Sequence, residues 1–238
     1  MRKLSHLEEE LLREHFKTDA EYKNAIDRLD NREPLAYIIG EWYFYDEKYK
    51  VNENCLIPRP DTEHLVEYLI KNLPDNAVFA DLCTGSGCIA ISVLAHRTDV
   101  KAVAVDISQG AIDIAKENAV LNSVSDRITF ICSDVLSDNP LNDGLFNAIV
   151  SNPPYIKTDV IDTLEPEVQN EPRIALDGGN DGLDFYKKIY TEYKNNVIPS
   201  GFIVTEIGYD QGNDLKNLFG CDIYKDYGGN DRVAVLYI

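Results

Sequence analysis

The stretch "AVFADLCTGSGCIAISVLAHR", residues 77–97, carries an apolar strand, a glycine-rich turn and an apolar helix in direct succession. Gly85 and Gly87 permit a tight turn and a close approach of the backbone to a ligand. Ala90 stands where a dinucleotide fingerprint has its third glycine, and alanine is tolerated there. The stretch therefore predicts a cofactor loop without deciding which cofactor it holds.

Apolar strands alternate with helices along the chain that follows. Strands are predicted over residues 101–106, 127–134 and 145–152, with helices between the earlier ones. Continuous apolar strands of this kind indicate a parallel sheet that is covered on both faces. The last two segments, 221–228 and 232–238, have the pattern of a closing antiparallel pair. The predicted fold class is doubly wound α/β.

Shorter elements precede this sheet. Leucines and other apolar residues at helical spacing predict two short helices within residues 1–31, which we treat as a separate helical extension. The dense aromatic and β-branched residues from Tyr37 to Val51 predict a hairpin, so residues 32–60 form a hairpin and linker. The domain over 61–238 then opens with a helix.

The segment that leads into this helix is "IPRPDTEHLVEYLIKNL", residues 57–73. Asp61 or Thr62 is the predicted N-cap, because both are residue types that accept hydrogen bonds from the first turn of a helix.

Composition excludes several classes of protein. Asp and Glu number 41 against 23 Lys and Arg, a formal charge of -18, which argues against a nonspecific nucleic-acid binder. No apolar run approaches a membrane span of about 20 residues, and the amino end lacks the apolar core of a signal peptide, so we expect a cytoplasmic protein. The five cysteines include no CxxC pair, and neither a disulfide framework nor a zinc site is predicted.

Carboxylates stand at three successive strand ends. Asp106 follows Gly87 by 19 residues, where a carboxylate can accept hydrogen bonds from the two ribose hydroxyls of NAD or of S-adenosylmethionine. Asp134 can accept from the exocyclic amine of adenine, with Val135 against the ring face. Alternatively, Asp134 only caps the next helix. Together with Asp81, these residues favour a ligand at the carboxyl edge of the sheet.

The stretch "SNPPYI", residues 151–156, follows the fourth of these strands. Two prolines stiffen the backbone, so the stretch is either a rigid turn or a holder for the side chain of Asn152. The oxygen of Asn152 and the carbonyl of Pro153 can accept the two hydrogens of a planar NH₂ group and direct the nitrogen lone pair at a methyl sulfonium. Tyr155 can lie on the planar face. An amide and the exocyclic amine of a base both satisfy this description.

From about Arg32 onward the sequence resembles the HemK/PrmC family of S-adenosylmethionine-dependent protein-(glutamine-N5) methyltransferases. The motifs that carry the resemblance are "REPLAYIIGEWYF", "LIPRPDTEHLVE", "DLCTGSGCIAIS", "AVDIS", "VSNPPYI", "EPRIALDGGNDGLDFY", "EIGYDQG" and "DYGGNDRVAVL". The resemblance implies a seven-stranded Rossmann-like methyltransferase sheet with an antiparallel carboxyl-terminal strand. It also implies methylation of the glutamine in the Gly-Gly-Gln motif of class I peptide-chain release factors, with S-adenosyl-L-homocysteine as product. We expect no metal, no nucleic-acid or membrane partner, and a monomer.

The resemblance also implies the site residues. Those implied as catalytic are Asn152, Pro153 and Tyr155. Those implied to bind the substrate are Asn152, Pro153, Pro154, Tyr155 and Glu171. Those implied to bind the cofactor are Arg59, Pro60, Thr62, Asp81, Cys83, Thr84, Gly85, Gly87, Asp106, Ile107, Asp134, Val135 and Asn152.

The sequence departs from the family in two places. Cys83 replaces the glycine that commonly opens the cofactor loop, a change that is tolerated if the position has a negative φ. Only 31 residues precede Arg32, where the family usually carries a larger helical domain, so residues 1–31 are interpreted as a reduced substrate-recognition region.

Other functions compete with glutamine methylation of release factors. They are methylation of an exocyclic base amine in nucleic acid, methylation of a glutamine in another translation protein, and a binding module without catalysis. A nicotinamide oxidoreductase fits the glycine loop but leaves "NPPY" unexplained.

Overall fold

The structure, a computed structural model, describes residues 4–238, so residues 1–3 of the predicted extension lie outside it. The extension folds into two helices, α1 (His6–His15) and α2 (Asp19–Asp30), as the leucine spacing predicts. Each helix begins with a capping box, in which the hydroxyl of the N-cap residue and a glutamate three residues later satisfy free backbone N–H groups. Leu12 and Leu29 are fully buried between the helices.

The hairpin is shorter than the sequence predicts. A helical turn, α3 (Leu35–Ile39), takes the place of its expected first residues and is followed by β1 (Glu41–Phe44) and β2 (Glu47–Lys50). The prediction that Tyr37 begins a strand was therefore wrong. Pro34 starts the turn, and Gly40 ends it in the left-handed conformation with φ 80°. The buried Tyr37 hydroxyl donates to the Cys55 carbonyl at 2.6 Å, a tertiary contact that outweighs strand propensity.

The remaining chain forms one large sheet with helices on both faces. Its strands are β3 (Val78–Leu82), β4 (Lys101–Asp106), β5 (Ile128–Cys132), β6 (Phe146–Ser151), β7 (Val197–Glu206), β8 (Asp222–Lys225) and β9 (Asp231–Tyr237). Its helices are α4 (Glu63–Asn72), α5 (Cys88–His96), α6 (Gln109–Leu121), α7 (Pro166–Gln169), α8 (Asp184–Thr191) and α9 (Gly212–Phe219).

The strand order is β5-β4-β3-β6-β7-β9-β8 within the described residues. The first five strands in this order run parallel, and β9 pairs antiparallel with both β7 and β8. The predicted antiparallel pair is thus confirmed, and so is the doubly wound α/β class. One hydrophobic cluster contains Leu65 of α4 and Ile91 of α5, and the cluster on the other face contains Tyr186 of α8 and Leu215 of α9.

This order places the carboxyl ends of β5, β4, β3 and β6 side by side at one edge. Because β3 pairs with both β4 and β6, the cofactor loop after β3 lies between Asp106 and the "SNPPYI" corner. None of the helices within residues 4–238 is long and apolar enough to cross a membrane.

Asn118, which is fully buried in α6, joins the hairpin to the cofactor loop. Its Oδ1 accepts from the Lys50 N–H at 2.7 Å, and its Nδ2 donates to the carbonyls of Lys50 at 3.0 Å and Ser86 at 2.9 Å. One amide thus satisfies three backbone groups that would otherwise lose their partners in a buried place.

We expect Asn118→Ala to lower the free energy of unfolding by about 2–4 kcal/mol, because it leaves buried backbone groups unpaired. Urea denaturation followed by circular dichroism measures the change. The matched control is Asn122→Ala on the same helix, which removes hydrogen bonds to the carbonyls of Lys48 and Asn118 at a half-buried position. We expect this control to lower the free energy of unfolding by no more than about 1.5 kcal/mol. Equal losses in the two variants would contradict this role of Asn118.

Candidate active site

A cavity of about 450 Å³ lies at the carboxyl ends of the parallel strands. The predicted residues that line it are Arg59, Thr62, Cys83, Thr84, Gly85, Asp106, Ile107, Asp134, Val135, Asn152 and Pro154. The predicted residues that are not part of its lining are Pro60, Asp81, Gly87, Pro153, Tyr155 and Glu171. The structure therefore brings most of the predicted cofactor residues together around one space.

The loop between β3 and α5 forms the floor of the cavity. Gly85 and Gly87 have φ of 55° and 82°, in the left-handed region. A Cβ on Gly87 would lie 2.7 Å from Ile91 Cδ1 and 3.2 Å from Ala115 Cβ, so a side chain there would displace Ile91 and would be strained by the positive φ. A Cβ on Gly85 would meet no atom within 4 Å, which shows open space beside the backbone. The loop is shaped for a ligand that approaches its main chain.

Cys83 departs from expectation. A cysteine at this position was expected to be tolerated only if its φ were negative, but the structure gives it φ 59°. A side chain in the left-handed region costs about 1–2 kcal/mol. The side chain of Cys83 packs against the cluster that contains Leu82 and Val105, and this contact offsets part of the strain.

Asp106 ends β4 and holds the cofactor loop in place. Its Oδ2 accepts from the Gly85 N–H at 2.8 Å, and its Oδ1 accepts from the Ser108 N–H at 2.9 Å. Burial raises the pKa of this carboxyl, and the bonds to the two N–H groups oppose that rise. Each carboxylate oxygen has a second lone pair, so the pair of oxygens still offers acceptors to adjacent ribose hydroxyls.

Asp134 and Val135 follow β5 on the neighbouring wall. The Asp134 oxygens accept from the Leu136 N–H at 2.8 Å and from the Ser137 hydroxyl at 2.6 Å, and these bonds lower its pKa. Asp134 thus stabilises its own turn while lining the cavity. The alternative that it caps a following helix was wrong, because a turn and then β6 follow it and no helix begins there.

Two buried polar atoms of the loop region lack hydrogen-bond partners among the described residues: Asp81 Oδ1 and Ser86 Oγ. The other Asp81 oxygen accepts from the Thr84 hydroxyl at 2.6 Å, and burial raises the pKa of Asp81 to about 7. Ser86 lines the cavity, but its hydroxyl oxygen is itself buried. Within residues 4–238 no three His, Cys, Asp or Glu side chains form a group that could hold a metal ion.

Asn152 directly follows β6. Since β6 and β4 lie on opposite sides of β3 in the sheet, Asn152 and Asp106 stand on opposite sides of the cofactor loop. The Nδ2 of Asn152 donates to Thr62 Oγ1 at 3.0 Å, and Thr62 Oγ1 in turn donates to Glu206 Oε2 at 2.6 Å. Thr62 occupies the predicted N-cap position of α4, but its hydroxyl makes no cap bond and serves this chain instead. Since Nδ2 is engaged, Asn152 presents its side-chain oxygen as the acceptor for a ligand.

Glu206 is the last acceptor in the series of hydrogen bonds that runs from Asn152 through Thr62. It ends β7 with 2 % of its surface exposed, and burial raises its pKa to about 7. The Tyr155 hydroxyl donates to the other oxygen, Oε1, at 3.4 Å. Tyr155 is therefore tied to Glu206 through its hydroxyl.

Two glycine-rich motifs brace the backbone of the corner. A Cβ on Gly178 would lie 2.8 Å from the Pro154 carbonyl oxygen, and one on Gly182 would lie 2.5 Å from the Tyr155 carbonyl oxygen. Gln211 donates from Nε2 to that same Tyr155 carbonyl at 3.1 Å. The motifs "ALDGGNDG" and "EIGYDQG" therefore hold the corner through close packing and hydrogen bonds.

Glu171 holds the segment that covers the cavity. Its Oε2 accepts from the Ile57 N–H at 3.0 Å, and its Oε1 pairs with the Arg59 guanidinium. Its side chain is 2 % exposed, so it is placed to anchor residues 57–60. Its predicted contact with substrate stays a prediction.

Several lining residues had no role in the sequence analysis. They are Asn54, Cys55, Leu56, Ile57, Pro58, Ser86, Cys88, Ile89, Ser108, Ala111, Leu136, Arg173, Ile174, Ala175, Asp177 and Phe185. Glu206 was also missed, although it stands at a strand end like Asp106, and the same signal could have found it. Ile174 is 53 % exposed at the cavity, where an apolar side chain can contact an incoming ligand.

We expect Asp81 to make stability depend on pH. Its pKa is about 7 in the folded chain and about 4 in the unfolded chain, so it favours folding at low pH and this contribution is lost as the pH rises toward 7. Urea denaturation gives the free energy of unfolding at pH 5 and at pH 8 for the parent and for Asp81→Asn. Between these two pH values the free energy should fall by about 2–3 kcal/mol more in the parent than in Asp81→Asn. Parallel pH profiles would refute the assignment.

Comparison with known proteins agrees with this geometry. Residues 60–169 match the family described as Methyltransferase small domain. The chain is 42% identical over 227 residues to release factor glutamine methyltransferase of Thermodesulfovibrio yellowstonii, covering 90% of this chain and 80% of that protein. The enzyme of the same name from Caulobacter vibrioides is 40% identical over 225 residues, covering 91% and 77%.

A solved structure has the same fold. Ribosomal protein L11 methylase from Lactobacillus delbrueckii subsp. bulgaricus matches with a TM-score of 0.54 at 21% identity, covering 78% of this chain and 82% of that one. From its identity to curated relatives over most of its length, we conclude that this chain belongs to the release factor glutamine methyltransferase family.

Proposed function

We propose that this chain transfers the methyl group of S-adenosylmethionine to the side-chain amide nitrogen of the glutamine in the Gly-Gly-Gln motif of class I peptide-chain release factors. The names of its relatives support the substrate, and one observation carries the chemistry. Asn152 is held by its Nδ2 on Thr62, so that its oxygen is offered as an acceptor at the cavity.

The residues around the cavity fit S-adenosylmethionine. Asp106 offers acceptors to the ribose, Asp134 and Val135 flank the place proposed for adenine, and Gly85 leaves room along the backbone for the rest of the molecule. When bound, the cofactor supplies a methyl group already activated by a positive sulfur, so the proposed reaction needs no metal.

The amide nitrogen is a poor nucleophile because its lone pair is delocalised into the carbonyl. We propose that Asn152 Oδ1 and the Pro153 carbonyl accept its two hydrogens and turn the lone pair toward the methyl group. Positive charge that develops on the nitrogen is stabilised by these two oxygens. Tyr155 lies outside the cavity lining and is tied to Glu206 by its hydroxyl, and we propose that its ring faces the planar face of the amide when the release factor binds. The amide nitrogen would gain the methyl group as the methyl–sulfur bond breaks, with S-adenosylhomocysteine as the leaving group. The methylated nitrogen, now acidic, then loses one proton to the solvent.

The substrate side of the cavity suits a protein loop. Exposed Ile174 gives apolar contact, and Arg173, which pairs with Asp162 at 2.9 Å, gives a charged contact beside it. The overall charge of -18 disfavours a nucleic-acid substrate. We propose that the protein acts as a monomer and that the reaction takes place in the cytoplasm, where release factors serve the ribosome.

The substrate is tested by offering purified release factor and DNA side by side with radiolabelled S-adenosylmethionine. We expect label in the release factor, on the glutamine of Gly-Gly-Gln when the modified peptide is mapped by mass spectrometry. Label in DNA alone would replace the proposal with methylation of a base amine. Label on a different glutamine would change the substrate without changing the chemistry.

We expect Asn152→Ala to reduce kcat for release factor by roughly 100-fold or more, because it removes an acceptor that acts on the developing charge. Affinity for S-adenosylmethionine, measured by calorimetry, should change little. Asn152→Asp keeps an acceptor but introduces charge and loses the bond from Nδ2 to Thr62, so it should also be slow on glutamine. If both variants fold and methylate release factor at the parental rate, Asn152 has no catalytic role and residues 151–156 form only a rigid turn.

We expect Asp106→Ala to weaken binding of S-adenosylmethionine about 10- to 150-fold, the loss that corresponds to charge-assisted hydrogen bonds of about 1.5–3 kcal/mol. Calorimetry with S-adenosylmethionine and S-adenosylhomocysteine gives the affinity. Asp113→Ala, which changes an exposed carboxylate on α6, is the control for loss of one negative charge. Unchanged affinity in Asp106→Ala would exclude Asp106 as the ribose acceptor.

A further inference from the structure

We propose that Glu206 is a positioning residue which, through Thr62, determines which end of the Asn152 amide faces the substrate. The consequence for catalysis rests on the function proposed above. Three residues from separate parts of the chain carry the inference: Thr62 at the start of α4, Asn152 after β6, and Glu206 at the end of β7. None of the sequence motifs assigned Glu206 a role.

The directions of the hydrogen bonds follow from the chemistry of the groups. An ionised carboxylate only accepts hydrogen bonds, so Thr62 must give its single hydroxyl hydrogen to Glu206 across their 2.6 Å contact. The Thr62 oxygen can then only accept from Asn152, and it does so from Nδ2 at 3.0 Å. Asn152 Nδ2 therefore donates to Thr62, and Thr62 donates to the Glu206 carboxylate, which leaves the Asn152 oxygen turned toward the ligand.

This order matters because an asparagine amide has two ends of nearly equal size. Rotated by half a turn, Asn152 would present NH₂ to the NH₂ of a glutamine, which places donor against donor. A carboxylate fixed behind Thr62 disfavours the rotated state, since Thr62 would then have no hydrogen left for the Asn152 oxygen. Glu206 thus contributes to turnover without touching the substrate.

We call the two hydrogen bonds that join Asn152, Thr62 and Glu206 the relay. The environment of Glu206 makes the direction of these bonds depend on whether Glu206 is protonated. The groups that face its carboxyl are Thr62, Tyr155, Arg232 and Asp61. Arg232 is itself paired with Asp61 at 3.1 Å and with Asp226 at 3.3 Å, which limits its support of the Glu206 charge. Burial raises the pKa of Glu206 to about 7. A protonated Glu206 can donate to Thr62, which frees the Thr62 hydrogen for the Asn152 oxygen and reverses the relay.

The kinetic test uses variants that keep side-chain shape. Thr62→Val removes the hydroxyl, and we expect kcat for release factor to fall about 10-fold or more while KM and cofactor affinity stay within about 3-fold. Thr62→Ser restores the hydroxyl and should recover most of kcat. Glu206→Gln should lower kcat and abolish the part of its pH dependence that has a midpoint near 7, where the parent loses activity as the pH falls.

A second readout does not depend on the substrate. In protein labelled with ¹⁵N, the side-chain NH₂ signal of Asn152 is identified by its disappearance in Asn152→Asp. In the parent this signal should shift between pH 6 and pH 8. The shift should be absent in Glu206→Gln, and Thr62→Val should remove the protection of the NH₂ hydrogens from exchange.

The outcomes separate the two proposals. A parent protein that leaves release factor unmethylated but shows the pH-dependent Asn152 signal overturns the proposed substrate and supports the relay. A parent that methylates release factor, with Thr62→Val and Glu206→Gln at parental kcat, overturns the relay and supports the substrate. An Asn152 signal that is unchanged in Thr62→Val overturns the relay whatever the activity. If Glu206→Gln fails to fold, the pH-dependent shift of the Asn152 signal decides: its presence in the parent and absence in Thr62→Val supports the role of Glu206, and its absence in the parent overturns it.

Discussion

The hydrogen bond from Thr62 to Glu206 joins the start of one helix to the end of one strand, and both sides of the site depend on it. On the substrate side it leaves the Thr62 oxygen free to accept from Asn152. On the cofactor side it anchors Thr62, two residues beyond the segment 57–60 that covers the cavity. A carboxylate in so buried a place destabilises the fold when it ionises, so its position is explained better by what it orients than by what it stabilises.

Glycine serves a second purpose in this molecule besides shaping the cofactor loop. Gly178 and Gly182 lie where a methyl group would press on the carbonyls of Pro154 and Tyr155. The two prolines thus restrict the backbone of the corner locally. The backbone at Gly178 and Gly182 packs against the corner and restricts its position further. Gln211 completes the clamp by donating to the Tyr155 carbonyl. Rigid placement of this kind is what orientation of a weak nucleophile requires.

Most of the sheet could be predicted because apolar periodicity reports burial directly, and β4 has the predicted bounds. The helical turn at Tyr37 could not be predicted from the sequence, since it is stabilised by a hydrogen bond to Cys55, which is distant in the chain. Cys83 shows the same limit, because a family comparison reveals the missing glycine but not the φ of the residue that replaces it. Asp106 and Asp134 could be found from their strand ends. Glu206 could have been found in that way too, but its partner Thr62 could not, because their contact is created by the fold alone.

Thr62 and Glu206 are separated by 144 positions, which has a consequence for the order of folding. The cofactor loop and its strands β3 to β6 are made of nearer neighbours, and contacts of short sequence separation form before those that close long loops. During synthesis β3 to β6 emerge before β7, so the residues of the cofactor loop and of the corner are made before Glu206. On the proposal that Glu206 orients the Asn152 amide, the site is complete only when β7 has paired with β6 and Glu206 lies behind Thr62.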